Sequence, residues 1–435
     1  MAVIEPTGVA AASAGAGAVP GSRRSAGNGV IVAYVIAYLA LYIALITPVI
    51  STLAVKVNEI STVATRAGDL SLVTGIGAFF AFVANPIAGA LSDRTTSRFG
   101  MRRPWLVIGV IGGAVGLLVI ATASGIWQVV VGWAIAQTAF NGTQAALQAV
   151  LPDQVEEHRR GKVSGWLGIA QNASSLIGIG LATLFAAAGL TSFWSIAVPA
   201  AIGVVGVVVF AALLHDRRLS KADAVPFHLG AFVKGFWISP RKHPDFAWAF
   251  TGRFLMLLGF AAYNGYQVYF LLTRFGFDTP TALSWQLRLS VVQTIVLVVA
   301  AALGGWLSDR TGRRKVFVIV ATVLAGVGLI VFASAQDPNI LFVAAALFGA
   351  GLGAYFAVDL ALVTDVLPNR ETDAAKNMGV FNIANALPQS LAPALAPLLL
   401  GIGSTTAGNY TLLFVVAAVV ILAGAASTMF IKGAR

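Results

Sequence analysis

The feature that most constrains this chain is a series of long apolar runs separated by short basic segments. The first run, Val30 to Ile50, is long enough to cross a bilayer, whose hydrocarbon core is about 30 Å thick and needs roughly 20 helical residues. In lipid each backbone N–H and C=O must find a partner within its own segment, so such runs form helices. Of the 435 residues 58% are hydrophobic and 10% are charged, which excludes a soluble globular protein.

The apolar runs predict twelve membrane-spanning helices. Their predicted bounds are 29–50, 69–91, 103–123, 126–150, 163–188, 192–214, 246–272, 284–307, 316–335, 340–365, 376–402 and 406–430. Of the 28 Lys and Arg residues 23 then fall on one side of the membrane. Positive residues accumulate in cytoplasmic loops, so both termini are predicted to be cytoplasmic. We therefore expect a multi-pass protein of the cell (cytoplasmic) membrane, and the high Ala and Gly content favours a bacterial one.

The chain is predicted to consist of two six-helix bundles. The predicted segments are a disordered cytoplasmic tail at 1–28, an N-terminal bundle at 29–214, a cytoplasmic linker at 215–245 and a C-terminal bundle at 246–435. The halves repeat each other, since Gly89–Thr95 matches Gly305–Thr311 and Val150–Pro152 matches Val366–Pro368 at the same offset. Repeated halves are usual in secondary transporters, where the solute site lies near the membrane midplane.

Several classes of function lack the residues that they require. The chain contains no cysteine, and its four histidines fall in polar connecting segments without the spacing of metal ligands. No nucleophile–base set or phosphate-binding loop is present, so we predict no enzyme activity, no cofactor and no metal. The basic residues behind the net charge of +11 form clusters in the loops, where they set the orientation of the spans in the membrane. We therefore predict no nucleic-acid partner.

One basic loop has a specific pattern. Residues Gly89 to Trp105 read GALSDRTTSRFGMRRPW, and the same loop of the second half carries a shorter copy. This loop resembles the signature cytoplasmic loop of the major facilitator superfamily, and the resemblance covers essentially the whole chain. It implies the twelve-helix fold of that family and a cytoplasmic gate that holds the outward-facing state; a purely topological role of the arginines is the alternative. The implied gate residues are Gly89, Asp93, Arg94, Arg98, Arg102, Arg103, Asp309, Arg310, Arg313 and Arg314.

Shorter stretches resemble one branch of that superfamily, the sucrose/proton symporters and the related glycoside–pentoside–hexuronide:cation symporters. These stretches are Pro86–Trp105, Leu45–Pro48, Gly379–Ala384 and the pair Pro388-Gln389. The resemblance favours a sugar or glycoside as the solute. The coupling acids of both relatives are missing, because Ala81 and Asn85 stand where glycoside symporters keep acids and Gln137 where sucrose symporters keep an Asp. The resemblance therefore does not imply that this chain couples to sodium or that it transports sucrose.

Two ionisable residues lie deep within the predicted spans. Arg253 follows Pro244 by nine residues and Asp359 precedes Pro368 by nine, which places both about 13 Å from the cytoplasmic ends of their helices. Charged groups in lipid are costly and are functional candidates by default. The hypothesis is that Asp359 takes up and releases the coupling proton with Arg253 as its partner. A fixed structural ion pair is the alternative.

Amide and tyrosine side chains repeat at helical spacing on four of the spans, and a single tyrosine lies on a fifth. The candidate substrate-binding residues are Tyr34, Tyr38, Asn141, Gln144, Tyr263, Asn264, Gln267, Tyr355, Asn382, Asn385 and Gln389. Amides offer both donors and acceptors, so together with aromatic rings they suit a neutral polyhydroxylated or a mixed polar–aromatic solute. Interhelical hydrogen bonding is the alternative use of these residues.

These patterns predict an all-α membrane protein that moves a small organic solute by alternating access, coupled to protons. The expected partners are the solute, protons and the lipid bilayer, and the expected state is a monomer. Symport of a sugar or glycoside is the favoured activity. Proton-coupled antiport of amphipathic compounds is an alternative, and a solute sensor that does not transport is an alternative of another class, because a fold does not determine a function.

Overall fold

The computed structural model describes residues 27–190, 192–220, 238–367, 374–403 and 408–433, with the backbone alone at 374–379, 382, 386 and 390. Almost all of the predicted tail and most of the predicted linker, at 1–26 and 221–237, therefore lie outside the described residues.

Long helices account for most of the described chain. They are α1 (Asn28–Thr47), α2 (Leu53–Ile60), α3 (Arg66–Ser92), α4 (Arg103–Ala121), α5 (Ile126–Gln154), α6 (Glu157–Ala187), α7 (Ser192–Leu213), α8 (Pro244–Arg274), α9 (Thr279–Thr311), α10 (Arg314–Ser334), α11 (Ile340–Asp365), α12 (Ala374–Leu400) and α13 (Tyr410–Met429). A π-helical turn, Pro48–Thr52, joins α1 to α2, so these two form one helix. The twelve predicted spans therefore correspond to twelve long helices.

Eleven of these twelve helices are long and apolar enough to cross a membrane by length and composition. The twelfth is α5 (Ile126–Gln154), which carries one of the predicted amide stripes. The predicted and observed bounds differ most at the first span, which was predicted to end at residue 50 and continues to Ile60. Span six of the prediction and α7 differ by a single residue, and span ten and α11 coincide.

The π-helical turn has a local cause. Pro48 has no N–H to donate, and its ring crowds the preceding turn of the helix. The turn widens so that the N–H of Leu53 donates to the carbonyl of Pro48, five residues earlier. Such insertions are frequent at functional sites. Here the helix continues past the turn, which is why the first span is longer than its apolar run predicts.

The two halves pack their helices in the same pattern. In the first half α1 contacts α6 and α7, α3 and α4 both contact α5, and α4 contacts α7. The equivalent pairs of the second half are α8 with α12 and α13, α9 and α10 with α11, and α10 with α13. The halves meet where α3 packs on α12 and α6 packs on α9. This duplicated packing confirms the prediction of two six-helix repeats.

Close helix approach depends on glycine where α9 crosses α11. A Cβ on Gly353 of α11 would lie 2.1 Å from the carbonyl oxygen of Leu297 on α9. Small residues at helix crossings let backbones approach in membranes, where no hydrophobic force draws helices together. Gly89, by contrast, leaves room for a methyl group, because its Cβ would lie 3.8 Å from that of Ala145.

The helix ends define two faces, named here for their charge. The basic face carries the loops at 93–102, 155–156 and 312–313, and the opposite face carries those at 61–65, 122–125 and 275–278.

Candidate functional site

The two deep ionisable residues of the sequence form an ion pair. Nη1 of Arg253 on α8 donates to Oδ2 of Asp359 on α11. The Asp359 residue is 2% exposed, and the side chain of Arg253 is 14% exposed. A buried charge is tolerated when a partner of opposite sign compensates it. The predicted meeting of these two residues is therefore observed, while their role in coupling stays a proposal.

Three further side chains surround this pair. Nε of Arg253 donates to Oδ1 of Asn385 on α12, at 2.5 Å, and the guanidinium lies 4.9 Å from the ring centroid of Phe381. Tyr355, one turn before Asp359 on α11, lies beside the carboxylate. The candidate residues Tyr355 and Asn385 thus belong to one cluster with Asp359 and Arg253. We call these five residues, Arg253, Tyr355, Asp359, Phe381 and Asn385, the ion-pair cluster.

The first half contributes a chain of neutral polar groups. The hydroxyl of Tyr38 donates to that of Tyr42 at 3.2 Å, and Nε2 of Gln144 on α5 donates to the Tyr42 hydroxyl at 2.8 Å. The rings of Tyr38 and Tyr42 pack with centroids 4.6 Å apart. We call Tyr38, Tyr42, Gln144 and the exposed Gln148 one turn further the tyrosine–amide wall. Tyr42 is added to the candidate substrate-binding residues because of these contacts, and Gln148 because it lies on the same face of α5 as Gln144.

Other candidate residues serve helix packing. Tyr34 is buried and donates to the carbonyl of Leu147 at 2.9 Å, and Asn141 donates to the side chain of Gln137 at 2.9 Å. Tyr263 packs among the aromatic rings of the second half, and Gln267 donates to its hydroxyl at 3.0 Å. The bond of Tyr34 joins α1 to α5 and matches the alternative of interhelical hydrogen bonding, whereas the bonds of Asn141 and Gln267 each lie within one helix.

The remaining amide candidates are less enclosed. Asn264 is partly buried and Gln389 is exposed. The side chain of Asn382 lies outside the described residues. Gln389 lies one turn beyond Asn385 on α12, so it extends the polar face that begins at the ion-pair cluster.

At the basic face Arg102 connects three groups. Its Nη2 lies 2.6 Å from Oδ1 of Asp93, its Nε lies 3.0 Å from Oδ2 of Asp153, and its Nη1 donates to Ser92 at 2.6 Å. The residue is 5% exposed, and its guanidinium joins the end of α3 to the end of α5. Asp153 was not among the predicted gate residues. It directly follows the repeated Val150–Pro152 segment, which is the sequence signal that could have revealed it.

The corresponding loop of the second half has fewer contacts. Arg314 pairs with Asp365 at 2.6 Å, an acid at the end of α11. Asp309 is exposed and has no ion-pair partner among the described residues. Arg310 and Arg313 are also exposed, and Arg310 lies over the Trp306 ring at 5.5 Å. The repeated motif therefore forms a compact cluster in the first half alone.

The other arginines of the first loop fix its ends. Arg94 donates to the carbonyl of Ala90 at 2.6 Å, and the exposed Arg98 lies over the Phe99 ring at 4.7 Å. Arg103 donates to the carbonyl of Leu214 at the end of α7.

Asp216 joins this loop to the segment that follows α7. Its Oδ2 accepts the backbone N–H groups of Arg102 and Arg103 at 2.6 and 2.8 Å, which caps the start of α4. Burial raises the pKa of the Asp216 carboxyl, against the opposing effect of these hydrogen bonds and of the two arginines.

At the opposite face five hydrogen bonds between described residues join the two halves. The donor–acceptor pairs are Arg66 to Thr273, Ser71 with Tyr266, Tyr269 to the Ala54 carbonyl, Gln286 to the Ile50 carbonyl and Thr183 to the Leu283 carbonyl. We call this set the seam. Four of these bonds connect the first helix or α3 to α8 or α9.

Arg66 is the one charged residue of the seam, and the sequence placed it in a loop. It begins α3, is 8% exposed, donates to Asn58 at 2.7 Å and lies over the Tyr269 ring at 5.1 Å. The internal repeat could not reveal this role of Arg66. Its partners come from both halves, whereas the repeat compares each half with the other.

Known proteins resemble this chain in sequence. A family model described as Major Facilitator Superfamily matches residues 30–287 and 277–433. The chain is 34% identical over 149 residues to the "Probable 4-methylmuconolactone transporter" of Cupriavidus pinatubonensis (strain JMP 134 / LMG 1197), with 32% of this chain and 34% of that protein covered. It is 42% identical over 71 residues to the "Proton-associated sugar transporter A" of Mus musculus, with 16% of this chain and 9% of that protein covered. The matches thus span about a third or less of these relatives.

A solved structure resembles the fold over nearly its whole length. The nucleoside transporter NupG superposes with a TM-score of 0.70 at 14% identity, covering 92% of this chain and 99% of that one. This identity supports the fold alone. The family model matches both halves, and the helix pairing is duplicated between them. The chain therefore belongs to the Major Facilitator Superfamily and is a multi-pass membrane transporter of the kind that moves solutes.

Proposed function

We propose that this protein is a proton-coupled symporter of a small polar organic solute, with Asp359 as the proton-binding residue and Arg253 as its partner. The observation that carries the proposal is the buried ion pair between these residues, inside helices that cross the membrane. An ion pair is costly to bury and contributes little net stability there. Its position inside these helices, with Arg253 about 13 Å from the start of α8, favours use in transport over a purely structural role.

Protonation of Asp359 removes the charge that holds Arg253. The guanidinium is then free to change its hydrogen bonds with Asn385 and with any solute beside it. Solute binding and proton binding are thereby linked through one side chain, which is a coupling free energy between two sites.

Alternating access requires that the halves separate at one face and then at the other. The seam at the opposite face supports a conformation closed there. We propose that the basic face is cytoplasmic and open in this conformation, and that the cluster of Arg102, Asp93 and Asp153 belongs to the gate that closes it. The same orientation puts both termini in the cytoplasm of a bacterial cell, and we propose a monomer of two bundles joined by a linker at 215–245.

A sugar or glycoside is one candidate solute. The name of the mouse relative, a proton-associated sugar transporter, favours it. The tyrosine–amide wall also supports it, because hydroxyl and amide groups bind polyols through paired donors and acceptors.

Transport is tested in proteoliposomes. Counterflow of a labelled solute separates a transporter from a sensor, and accumulation driven by an imposed pH gradient measures coupling. Asp359→Asn should retain counterflow and lose accumulation, because it can no longer exchange a proton. Asp337→Asn, in an exposed loop, is the matched control and should accumulate solute like the natural protein.

Two outcomes would contradict the proposal. Accumulation by Asp359→Asn that still depends fully on the pH gradient would exclude Asp359 as the coupling residue. Proton movement opposite to the solute would indicate antiport of the kind expected for efflux.

A further inference from the structure

Within the ion-pair cluster two of the three guanidinium nitrogens of Arg253 donate hydrogen bonds. Nη1 donates to Asp359 and Nε donates to Asn385. Within the described residues Nη2 has no hydrogen-bond partner, and it is not buried, unlike the unpaired Nε atoms of Arg66 and Arg103. The side chain is 14% exposed, whereas Asp359 beside it is enclosed. The Nη2 nitrogen, with its two N–H groups, is therefore presented to open space within the membrane.

The exposed amides locate that space between the halves. Gln148 on α5 and Gln389 on α12 are exposed although both helices cross the membrane. Polar groups in such helices face a water-filled cavity because lipid would not hydrate them. Gln144 precedes the end of α5 by ten residues, about 15 Å, and Arg253 lies at about 13 Å from the same face. The tyrosine–amide wall and Arg253 thus lie at similar depth.

We propose that the transported solute is a small organic monocarboxylate, with its carboxylate on Arg253 and its polar or ring-bearing body against the tyrosine–amide wall. This substrate class rests on the proposed function of the same site. A guanidinium is the side chain best suited to a carboxylate, because parallel N–H groups of two nitrogens meet two oxygens. Nη2 supplies one of these groups, and protonation of Asp359 releases Nη1 to supply the other. The Phe381 ring under Arg253 holds the plane of the guanidinium in place.

The charges of the site account for coupling to one proton. Among the described residues the charged and titratable groups that face Asp359 are Arg253 from α8 and Tyr355 from its own helix. With Asp359 ionised, its charge compensates Arg253, and a bound carboxylate would leave one uncompensated negative charge in the membrane. When a proton binds the Asp359 carboxylate, the solute carboxylate takes over Arg253, and the loaded site is neutral again. Proton and anion then cross together, and no net charge moves.

Binding is tested with matched pairs of probes that differ in the carboxyl group, namely glucuronate against glucose and 4-hydroxybenzoate against 4-hydroxybenzyl alcohol. Ligand binding to the folded state raises the melting temperature of the purified protein. We expect stabilisation by at least one acid, none by its neutral counterpart, and a larger effect at pH 5.5 than at pH 8. A panel in which no acid stabilises the protein more than its counterpart would overturn the proposal.

Variants of the pair separate binding from folding. Arg253→Gln should weaken binding of the acid by at least about tenfold, the loss expected for a charge-assisted hydrogen bond. Asp359→Asn imitates the protonated carboxyl, so it should bind the acid equally at both pH values. The double variant Arg253→Gln/Asp359→Asn carries no uncompensated charge and shows whether lost binding reflects lost folding. Arg288→Gln, over Trp285 on α9, is the control and should bind like the natural protein. Unchanged binding in a folded Arg253→Gln or double variant would overturn the proposal.

The electrical response distinguishes this inference from the function on which it rests. In proteoliposomes with a potassium potential set by valinomycin, uptake of the acid with its proton should be insensitive to the potential. Proton-driven uptake of glucose that responds to the potential, without uptake of either acid, would refute the carboxylate and leave proton symport intact. Uptake of an acid through Arg253 without proton movement would support the carboxylate and refute the coupling.

Discussion

The guanidinium of Arg66 on α3 donates a hydrogen bond of 2.9 Å to the hydroxyl of Thr273 on α8, so the charged residue of the seam joins the two halves directly. The same guanidinium donates to Asn58 at 2.7 Å and is buried. Most other bonds of the seam end on backbone carbonyls or hydroxyls. Among the described residues, closure at this face is therefore held by hydrogen bonds, whereas the ion pairs of the basic face each lie within one half.

Arg66→Ala should weaken the seam and raise the population that is open at the opposite face. The lost hydrogen bond to Thr273 contributes about 1 kcal/mol and the lost cation–π contact with Tyr269 about 0.5–1 kcal/mol, which together shift a two-state equilibrium roughly tenfold or more. The natural chain lacks cysteine, so Gly75→Cys supplies a single reporter one turn below Ser71, where a Cβ meets no atom within 4 Å. Its labelling by an impermeant maleimide in right-side-out vesicles should accelerate. The same rate in Arg66→Ala as in the control Arg288→Ala would exclude Arg66 from the seal.

The ion pair of Arg253 and Asp359 should show strongly non-additive stability. Removing one partner leaves a buried charge without compensation, which costs about 3–5 kcal/mol. We expect Arg253→Gln and Asp359→Asn each to lower the melting temperature, and the double variant to regain a large part of the loss. Thermal unfolding of the four proteins in detergent measures this cycle. Additive effects would mean that the two side chains do not depend on each other.

Arg102 should matter more to stability than any exposed arginine of its face. Three of its nitrogens have partners on α3, α5 and the loop after α3, and hydrogen bonds to charged groups contribute about 1.5–3 kcal/mol each. Arg102→Ala should unfold at a clearly lower temperature and slow transport. The unfolding temperature of Arg102→Lys should lie between those of the natural protein and Arg102→Ala, because an ammonium lacks the planar array of N–H donors of a guanidinium. The exposed Arg218→Ala should change the free energy of unfolding by less than about 0.5 kcal/mol. Equal losses in Arg102→Ala and Arg218→Ala would refute the connecting role.

Asp216 should give the stability a pH dependence of unusual sign for an acid. Burial raises its pKa above the ordinary value of 3.8. The folded state therefore holds the proton more tightly than the unfolded state, so the stability from this group is greatest below pH 3.8 and is lost as pH rises through the raised pKa.

Asp216→Asn removes this proton while keeping an oxygen for the N–H groups of Arg102 and Arg103. Relative to the natural protein, its melting temperature should improve between pH 4 and pH 7. The exposed Asp337→Asn should show no such trend. A difference that stays constant with pH, or falls, would contradict the raised pKa.

The sequence by itself determined the membrane class, the twelve helices and their duplication. These properties follow from run length, because the bilayer sets one length for all spans and leaves backbone groups no partner outside a helix. It also identified Arg253 and Asp359, since charges within apolar runs stand out regardless of which helices meet. The helix ends were less well determined: α2 continues the first span to Ile60 because the π-helical turn at Pro48 keeps the helix going beyond its apolar run.

Only the tertiary structure decided which polar residues share a site. Tyr34 and Tyr38 are one turn apart on the same helix, yet Tyr34 is tied to the Leu147 backbone while Tyr38 joins the tyrosine–amide wall. The gate motif occurs twice in the sequence. In the first half Arg102 forms an ion pair with Asp153, whereas in the second half Asp309 has no ion-pair partner among the described residues. Arg66 was assigned to a loop and is part of the seam. Helical periodicity specifies the face of a residue, whereas the neighbour on that face depends on how the helices cross and how the halves dock, which no spacing within one helix encodes.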